Sequence, residues 1–139
     1  MTIAELVQDG RIELVPADPD ASRTILLEAK RHLESARAVA ISDPNGAYVL
    51  LYDAARKAGT AHMLANGYRV TPRAGAHQAV VAYAEETLGG ADVAHLDRMR
   101  RNRNRSEYDV KVFGAAEVDA DLGYARVVVA AVEKVMEDG

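Results

Sequence analysis

Apolar residues recur along most of the chain at steps of three and four, the spacing of one face of an α-helix. The pattern is clearest in two segments, near residues 26–40 and 122–136. Their apolar positions are Leu26, Ala29, Leu33, Ala36 and Ala40 in the first and Leu122, Ala125, Val129, Val132 and Met136 in the second. Each segment is therefore predicted to form a helix with one buried face.

Three further segments between these two also carry helical patterns. Residues 48–64 are apolar on more than one side, which predicts a central helix that contacts several neighbours or a second subunit. Residues 76–88 carry a shorter apolar stripe, and residues 92–108 begin apolar with Val93, Leu96 and Met99. The last stripe continues into Arg103, and an arginine that faces inward requires a partner.

Local signals mark the helix ends. Thr2 and Glu5 have capping-box spacing, and Gly10 and Gly89-Gly90 are helix terminators. Asp18-Pro19, Asp43-Pro44 and Thr71-Pro72 each place an N-cap residue before a proline, and Asp92 is predicted to cap the following helix. Strand alternation is weak and confined to residues 11–15. These signals predict an all-α fold: an antiparallel up-down bundle of four to five helices with a short extra N-terminal helix.

Composition narrows the class of protein. At 139 residues, the chain is expected to form one domain over residues 1–139, and no apolar run approaches the roughly 20 residues that cross a bilayer. Residues 1–10 do not read as a secretory signal, so a cytoplasmic location and no membrane contact are expected. The absence of cysteine excludes disulfides and thiolate metal sites. The nearest approach to a carboxylate–histidine metal pair is Asp92 with His95, so no metal or cofactor is expected.

One short segment reverses the charge of the chain. Residues 98–105 hold five arginines and two asparagines, whereas the net charge is -4, so the remainder carries -9. The arginines are Arg98, Arg100, Arg101, Arg103 and Arg105. Guanidinium groups keep their charge and present planar donors that match phosphate oxygens, which indicates an anionic partner. The simpler interpretation is a solvated helix face balanced by Asp97, Glu107 and Asp109, with Arg103 and Glu107 as an ordinary i,i+4 pair.

The sequence Arg103-Asn104-Arg105-Ser106-Glu107-Tyr108 resembles the Arg-Asn-x-x-x-His signature of HEPN domains, with tyrosine at the histidine position. The likeness extends over residues 18–138, including the Ala-rich segment 48–64, residues 67–72, the helix start at 75–78 and the approach at 96–101. It implies a helical bundle that forms a homodimer, with the signature residues of both subunits at a shared cleft. Such domains occur in toxin–antitoxin and other defence systems.

The resemblance also implies roles for residues. Arg103 would bind the scissile phosphate of an RNA, Asn104 would be its polar neighbour, and Tyr108 would occupy the position of the proton-transferring histidine in a ribonuclease that needs no metal. Arg98, Arg100, Arg101 and Arg105 would contribute further contacts to RNA or a nucleotide.

The tyrosine weakens the catalytic interpretation. Its ordinary pKa is near 10, so only about one phenol in a thousand is ionised at pH 7, a penalty of roughly 4 kcal/mol for a general base. On one helix Arg103 would lie about 140° from Tyr108, so we expect a second copy to complete any active site. His77 and His95 are the candidate substitutes for the missing base. Whether the chain is an enzyme stays open at this point.

A different class of function is also open. The arginines could dock an acidic protein surface, such as an antitoxin or the chain's own last helix, where residues 117–139 hold six acids against two bases. In that case the protein would be a non-catalytic helical interaction module.

Overall fold

Helices form most of the structure, a computed structural model that describes residues 1–73 and 75–138. In chain order the helices are α1 (Ile3–Gln8), α2 (Pro19–Val39), α3 (Pro44–Ala65), α4 (Ala76–Leu88), α5 (Gly90–Val93), α6 (Leu96–Tyr108) and α7 (Ala115–Asp138). The all-α class and the short N-terminal helix are confirmed.

Three of the predicted helix starts are confirmed by their capping hydrogen bonds. The Asp18 side chain accepts a 3.0 Å bond from the amide of Ala21, and the Asp43 side chain accepts one of 3.0 Å from Gly46. A proline follows each of these residues, where the missing amide costs no hydrogen bond. At the N-terminus the Thr2 hydroxyl accepts from the amide of Glu5.

The predicted helix start at Thr71-Pro72 is wrong. Helix α4 begins at Ala76, after Gly75 in the left-handed conformation. Thr71 is engaged elsewhere, because its amide donates to the carbonyl of Arg11 and its hydroxyl donates to that of Gly10 at 2.6 Å. Thr71 therefore forms hydrogen bonds with the N-terminal segment instead of capping a helix, as its local sequence had predicted.

The predicted cap at Asp92 is also wrong. Asp92 lies inside the single-turn helix α5, and α6 begins at Leu96 after His95. The break coincides with a stacking contact between the rings of His95 and Tyr124, whose centroids are 3.6 Å apart. Packing against α7 accompanies a turn that the sequence did not mark.

Two short strands join the N-terminal segment to the end of α3. Strand β1 (Ile12–Leu14) pairs antiparallel with β2 (Tyr68–Val70), and Arg69 and Glu13 form an ion pair across the ladder at 2.6 Å. The weak alternation at 11–15 coincides with β1, whereas β2 was not predicted. Three residues are too few for a periodic signal.

Helix α3 is the centre of the main core, as its apolar character on several sides predicts. It packs against α2, α4, α6 and α7. Its buried side chains include Tyr48, Leu51, Tyr52, Ala54, Ala55 and Ala58. A second cluster, formed by Leu6, Ile12, Met63, Ala79, Val80 and Tyr83, lies under α1 and the strands. Within the described ranges no helix is both long and apolar enough to cross a membrane.

Candidate anion site around helix α6

The arginines of α6 point in different directions, and the first of them, which is 38% exposed, is bound to a buried carboxylate. Arg98 donates two hydrogen bonds to the carboxylate of Asp121 on α7, at 2.9 and 2.6 Å. The buried hydroxyl of Tyr48 donates to the same carboxylate at 2.6 Å, and Asn102 donates to that hydroxyl at 3.3 Å. Arg98 therefore fixes α6 against α3 and α7.

This network determines the charge state of Asp121. Burial alone would raise the pKa of its carboxyl, but hydrogen bonds from Arg98 and Tyr48 outweigh burial and hold that pKa below its ordinary value. Burial and the bond to Asp121 raise the pKa of Tyr48 above its ordinary value. The network therefore contains an ionised carboxylate, a guanidinium and a neutral phenol at pH 7.

The other four arginines of α6 outnumber the carboxylates that bind them. Arg100 and Arg101 both donate to Asp97, at 2.9 and 2.6 Å, and Arg103 donates to Glu107 at 2.6 Å, the i,i+4 pair that the sequence suggested. Arg105 is exposed and has no ion pair within residues 1–73 and 75–138. Five guanidinium groups on one helix thus face three carboxylates, those of Asp97, Glu107 and Asp121.

Two of these arginines face inward, toward α3 and α4. The side chains of Arg100 and Arg103 are only 16% and 18% exposed, and that of Arg56 on α3 is 21% exposed. The charges of all three act on the fully buried phenol of Tyr52 and on the ring of His77 at the start of α4. We call Tyr52, Arg56, His77, Arg100 and Arg103 the inner cluster.

Three buried polar atoms of the inner cluster have no hydrogen-bond partner among the described residues. They are the hydroxyl oxygen of Tyr52, Nε of Arg56 and Nε of Arg103. Nearly all buried polar groups in proteins are paired, and an unpaired one costs about 1–3 kcal/mol. The three atoms belong to side chains of α3 and α6, two helices that pack against each other.

Burial and charge set the protonation states of this cluster. Burial raises the pKa of Tyr52 to about 12, although the neighbouring arginines act in the opposite direction. Burial lowers the pKa of His77, and the charges of Arg56 and Arg103 lower it further. At pH 7 the cluster therefore presents cationic guanidinium groups beside a neutral phenol and a neutral imidazole.

The outer side of α6 carries the remaining predicted site residues. Arg101 is 62% exposed, and Tyr108 is 82% exposed. Asn104 is half-buried. Within one chain, Arg103 faces the interior while Tyr108 lies in solvent, as their separation around the helix predicts. One protomer does not bring the signature arginine and tyrosine together in a buried site.

Sequence reasoning did not single out Tyr52 or Arg56. Both lie on α3, four residues apart and therefore on one face of the helix. Arg56 is the one arginine of α3, a helix that is apolar on several sides, and this was the feature of the sequence that could have pointed to it. His77 was named only as a substitute base.

A cleft of 610 Å³ opens between α2, α3 and α7, with His62 in its wall. At its edge Lys30 of α2 pairs with Glu133 of α7. No group of three or more carboxylates and histidines suited to a metal occurs in the described part of the chain. Among the described residues, the densest group of cations lies on α6.

Comparison of the chain with protein-family models, with curated proteins and with solved structures gave no match. The candidate site consequently depends on its own geometry and charge.

Proposed function

We propose that this protein is a HEPN-like helical domain that binds RNA or a nucleotide through the arginines of α6. The observation that carries the proposal is the imbalance of five guanidinium groups against three carboxylates on this helix and its contacts. An anionic partner would neutralise the excess, and phosphate matches the fork of N–H donors that each arginine presents.

The outer side of α6 has the chemistry that single-stranded RNA requires. Arg101 and Arg105 lie four residues apart and are exposed, so they can contact the phosphate backbone. Tyr108 offers an exposed aromatic ring on which an unpaired base can stack. Arg98 is left out of this surface, because its donors are used by the buried Asp121.

Binding, rather than cleavage, is the activity that the geometry supports. Metal-free cleavage of RNA would need a proton-transfer group beside Arg103 that also reaches the RNA. On one chain Tyr108 is far around the helix, and His77, whose pKa the charge of Arg103 lowers, lies on the inner side of α6 rather than on its outer side. A homodimer with a shared cleft, the up-down arrangement of the bundle and a role in toxin–antitoxin or defence systems belong to the same proposal. The HEPN likeness of residues 103–108 supports them.

Salt dependence of RNA binding tests the proposal. We expect the affinity for single-stranded RNA to fall steeply between low and moderate salt, since each phosphate contact releases counterions. Arg101→Ala and Arg105→Ala should each reduce the slope of log K against log salt by about 0.7. Arg37→Ala is the matched control, because Arg37 is an exposed arginine on α2 that pairs with Glu34. A flat salt response in the parent protein would contradict the proposal.

A second function has its own supporting observation. Large apolar side chains are exposed in the segment that follows α6, at Val110 and Val112, next to the exposed Tyr108. Such a surface suits a protein partner, for example an antitoxin or a second copy of the chain. Sedimentation of the parent and of a Val110→Ser, Val112→Ser variant would discriminate: self-association that the serines abolish, without RNA binding, favours the interaction module.

A further inference from the structure

The cleft between α2, α3 and α7 is large enough to hold a small organic molecule. The first half of α2 and the C-terminal ends of α3 and α7 form its walls, and its volume is 610 Å³. Ligand pockets in proteins commonly have volumes of about 300–1,000 Å³. The cleft shares no lining residue with α6, so it is separate from the arginine-rich helix.

Apolar side chains form much of the wall of the cleft. They are Pro19, Leu26, Leu27, Ala65, Val135 and Met136. Leu27 is 52% exposed and Val135 is 36% exposed, so covering them would remove apolar surface from water. Met136 adds a flexible thioether side chain that can adapt to ligands of different shape. This wall favours a ligand with an apolar body.

The charged residues that line the cleft balance one another. Arg23 and Lys30 are the cations, and Glu133 and Glu137 are the anions. Lys30 pairs with Glu133 at the edge of the cleft. A lining without net charge gives no general attraction to an anion or a cation, and moving either out of water costs hydration energy. The cleft therefore favours a ligand without net charge.

The ring of His62 supplies a hydrogen-bond acceptor. Burial lowers the pKa of His62, so its ring is neutral at pH 7 and carries one hydrogen. The Thr87 hydroxyl lies 3.4 Å from Nδ1 of this ring, and it donates its own hydrogen to the carbonyl of Tyr83 at 2.8 Å. The Thr87 oxygen can therefore only accept from Nδ1. This contact places the ring hydrogen on Nδ1 and leaves Nε2 as an acceptor.

The acceptor at Nε2 is available to a ligand. Nε2 of His62 has no hydrogen-bond partner among the described residues and is not sealed from solvent, and the side chain lines the cleft. An edge contact with Tyr83, with the ring centroids 5.6 Å apart, fixes the orientation of the imidazole. A nitrogen lone pair requires an N–H or O–H donor. The ligand must therefore carry such a group beside its apolar body.

We infer that this cleft binds a small neutral organic molecule with an apolar body and one N–H or O–H group that donates to Nε2 of His62. Leu26, Leu27, Val135 and Met136 contact the body of the ligand. The site lies apart from α6, so this inference and the proposed RNA binding can each fail without the other.

Two probe compounds that differ in one donor test the inference. 2-Naphthol has an apolar two-ring body and one O–H group, and in 2-methoxynaphthalene a methyl group replaces that hydrogen. The chain contains no tryptophan, so the fluorescence of the probes can be followed without interference from indole. The parent protein should bind 2-naphthol at one site and bind 2-methoxynaphthalene about three- to tenfold more weakly, the effect of one neutral hydrogen bond. No saturable binding of 2-naphthol, or equal affinity for the two compounds, would overturn the inference.

Substitutions in the wall locate the binding site. His62→Phe keeps an aromatic ring but removes the acceptor, so it should lower the affinity for 2-naphthol to that for 2-methoxynaphthalene. Leu27→Asp, at an exposed position of the wall, should weaken the binding of both compounds. Val127→Asp is its matched control, because Val127 is 45% exposed on α7 but lies outside the cleft. Equal effects of Leu27→Asp and Val127→Asp would place the probes elsewhere and contradict the inference.

Nitrogen NMR of the His62 ring measures the acceptor directly. In the free protein at pH 7 we expect a hydrogen on Nδ1 and none on Nε2. 2-Naphthol should shift the Nε2 signal of His62 and leave the ring signals of His77 unchanged, because His77 does not line the cleft. A hydrogen on Nε2 in the free protein, or equal shifts at both histidines, would contradict the assigned role of His62.

Discussion

Arg98 on α6 and Asp121 on α7 form a two-bond ion pair in which the carboxylate is buried and the guanidinium is partly open to solvent. The pair converts one member of an arginine-rich segment from a ligand-binding candidate into a structural element.

Removal of Arg98 should destabilise the fold. Arg98→Ala would leave Asp121 buried with only Tyr48 as a hydrogen-bond donor, and we expect a loss of about 3 kcal/mol in the free energy of unfolding. Urea denaturation measures this loss. Arg105→Ala, on an exposed residue of the same helix, should change stability by less than about 0.5 kcal/mol. Similar losses in both variants would contradict the structural role of Arg98.

Acid should weaken the contribution of Asp121. Its folded pKa lies below its ordinary value, so its stabilising effect is fully present above about pH 5 and is lost as the pH falls through the folded pKa. The stability difference between the parent and Asp121→Asn should therefore shrink below about pH 4. Urea midpoints at several pH values measure it, and a difference that stays constant down to pH 2 would contradict the lowered pKa.

His77 should titrate below its ordinary range. Burial and the charges of Arg56 and Arg103 favour the neutral ring in the folded protein, whereas the unfolded chain takes up a proton near pH 6.5. Stability should therefore fall as the pH drops below about 6.5, and His77→Gln should remove part of that fall. NMR titration of the ring measures the pKa directly. A pKa at or above the ordinary value would contradict the burial of this ring beside the arginines.

Two helical glycines should respond to alanine in opposite ways. A Cβ atom at Gly59 of α3 would lie 2.7 Å from Cγ1 of Val80 on α4, so Gly59→Ala should cost about 1–3 kcal/mol. At Gly123 of α7 no described atom lies within 4 Å, so Gly123→Ala should gain up to about 1 kcal/mol from helix propensity. Thermal unfolding of the two variants tests the close approach of α3 to α4. Stabilisation by both would show that the helices are not packed as described.

Sequence reasoning succeeded where a few neighbouring residues decide the structure. Asp18 and Asp43 begin their helices because a carboxylate and a following proline satisfy local geometry without help from the rest of the chain. The apolar stripe that runs from Val93 into Arg103 correctly placed this arginine on the inner side of α6. Thr71 failed as a cap because contacts with distant residues took precedence, whereas Asp92 lies inside the separate short helix α5.

The inner cluster could not be predicted in the same way. Tyr52 and Arg56 lie more than 40 residues before Arg100 and Arg103 in the sequence. Only the packing of α3 against α6 brings these side chains together. A single sequence contains no periodic pattern that predicts a contact between these residues of α3 and α6. The sequence showed the run of arginines on α6, but only the fold shows that Tyr52 and Arg56 of α3 lie beside them.

The short ladder between β1 and β2 has a practical consequence for how the protein is handled. It fastens the first fourteen residues to the far end of α3, where Leu6 and Ile12 help to fill the smaller core cluster. These residues are thus part of the folded body. A truncation that removes them would expose the apolar side chains of Met63, Val80 and Tyr83 to solvent and should promote aggregation.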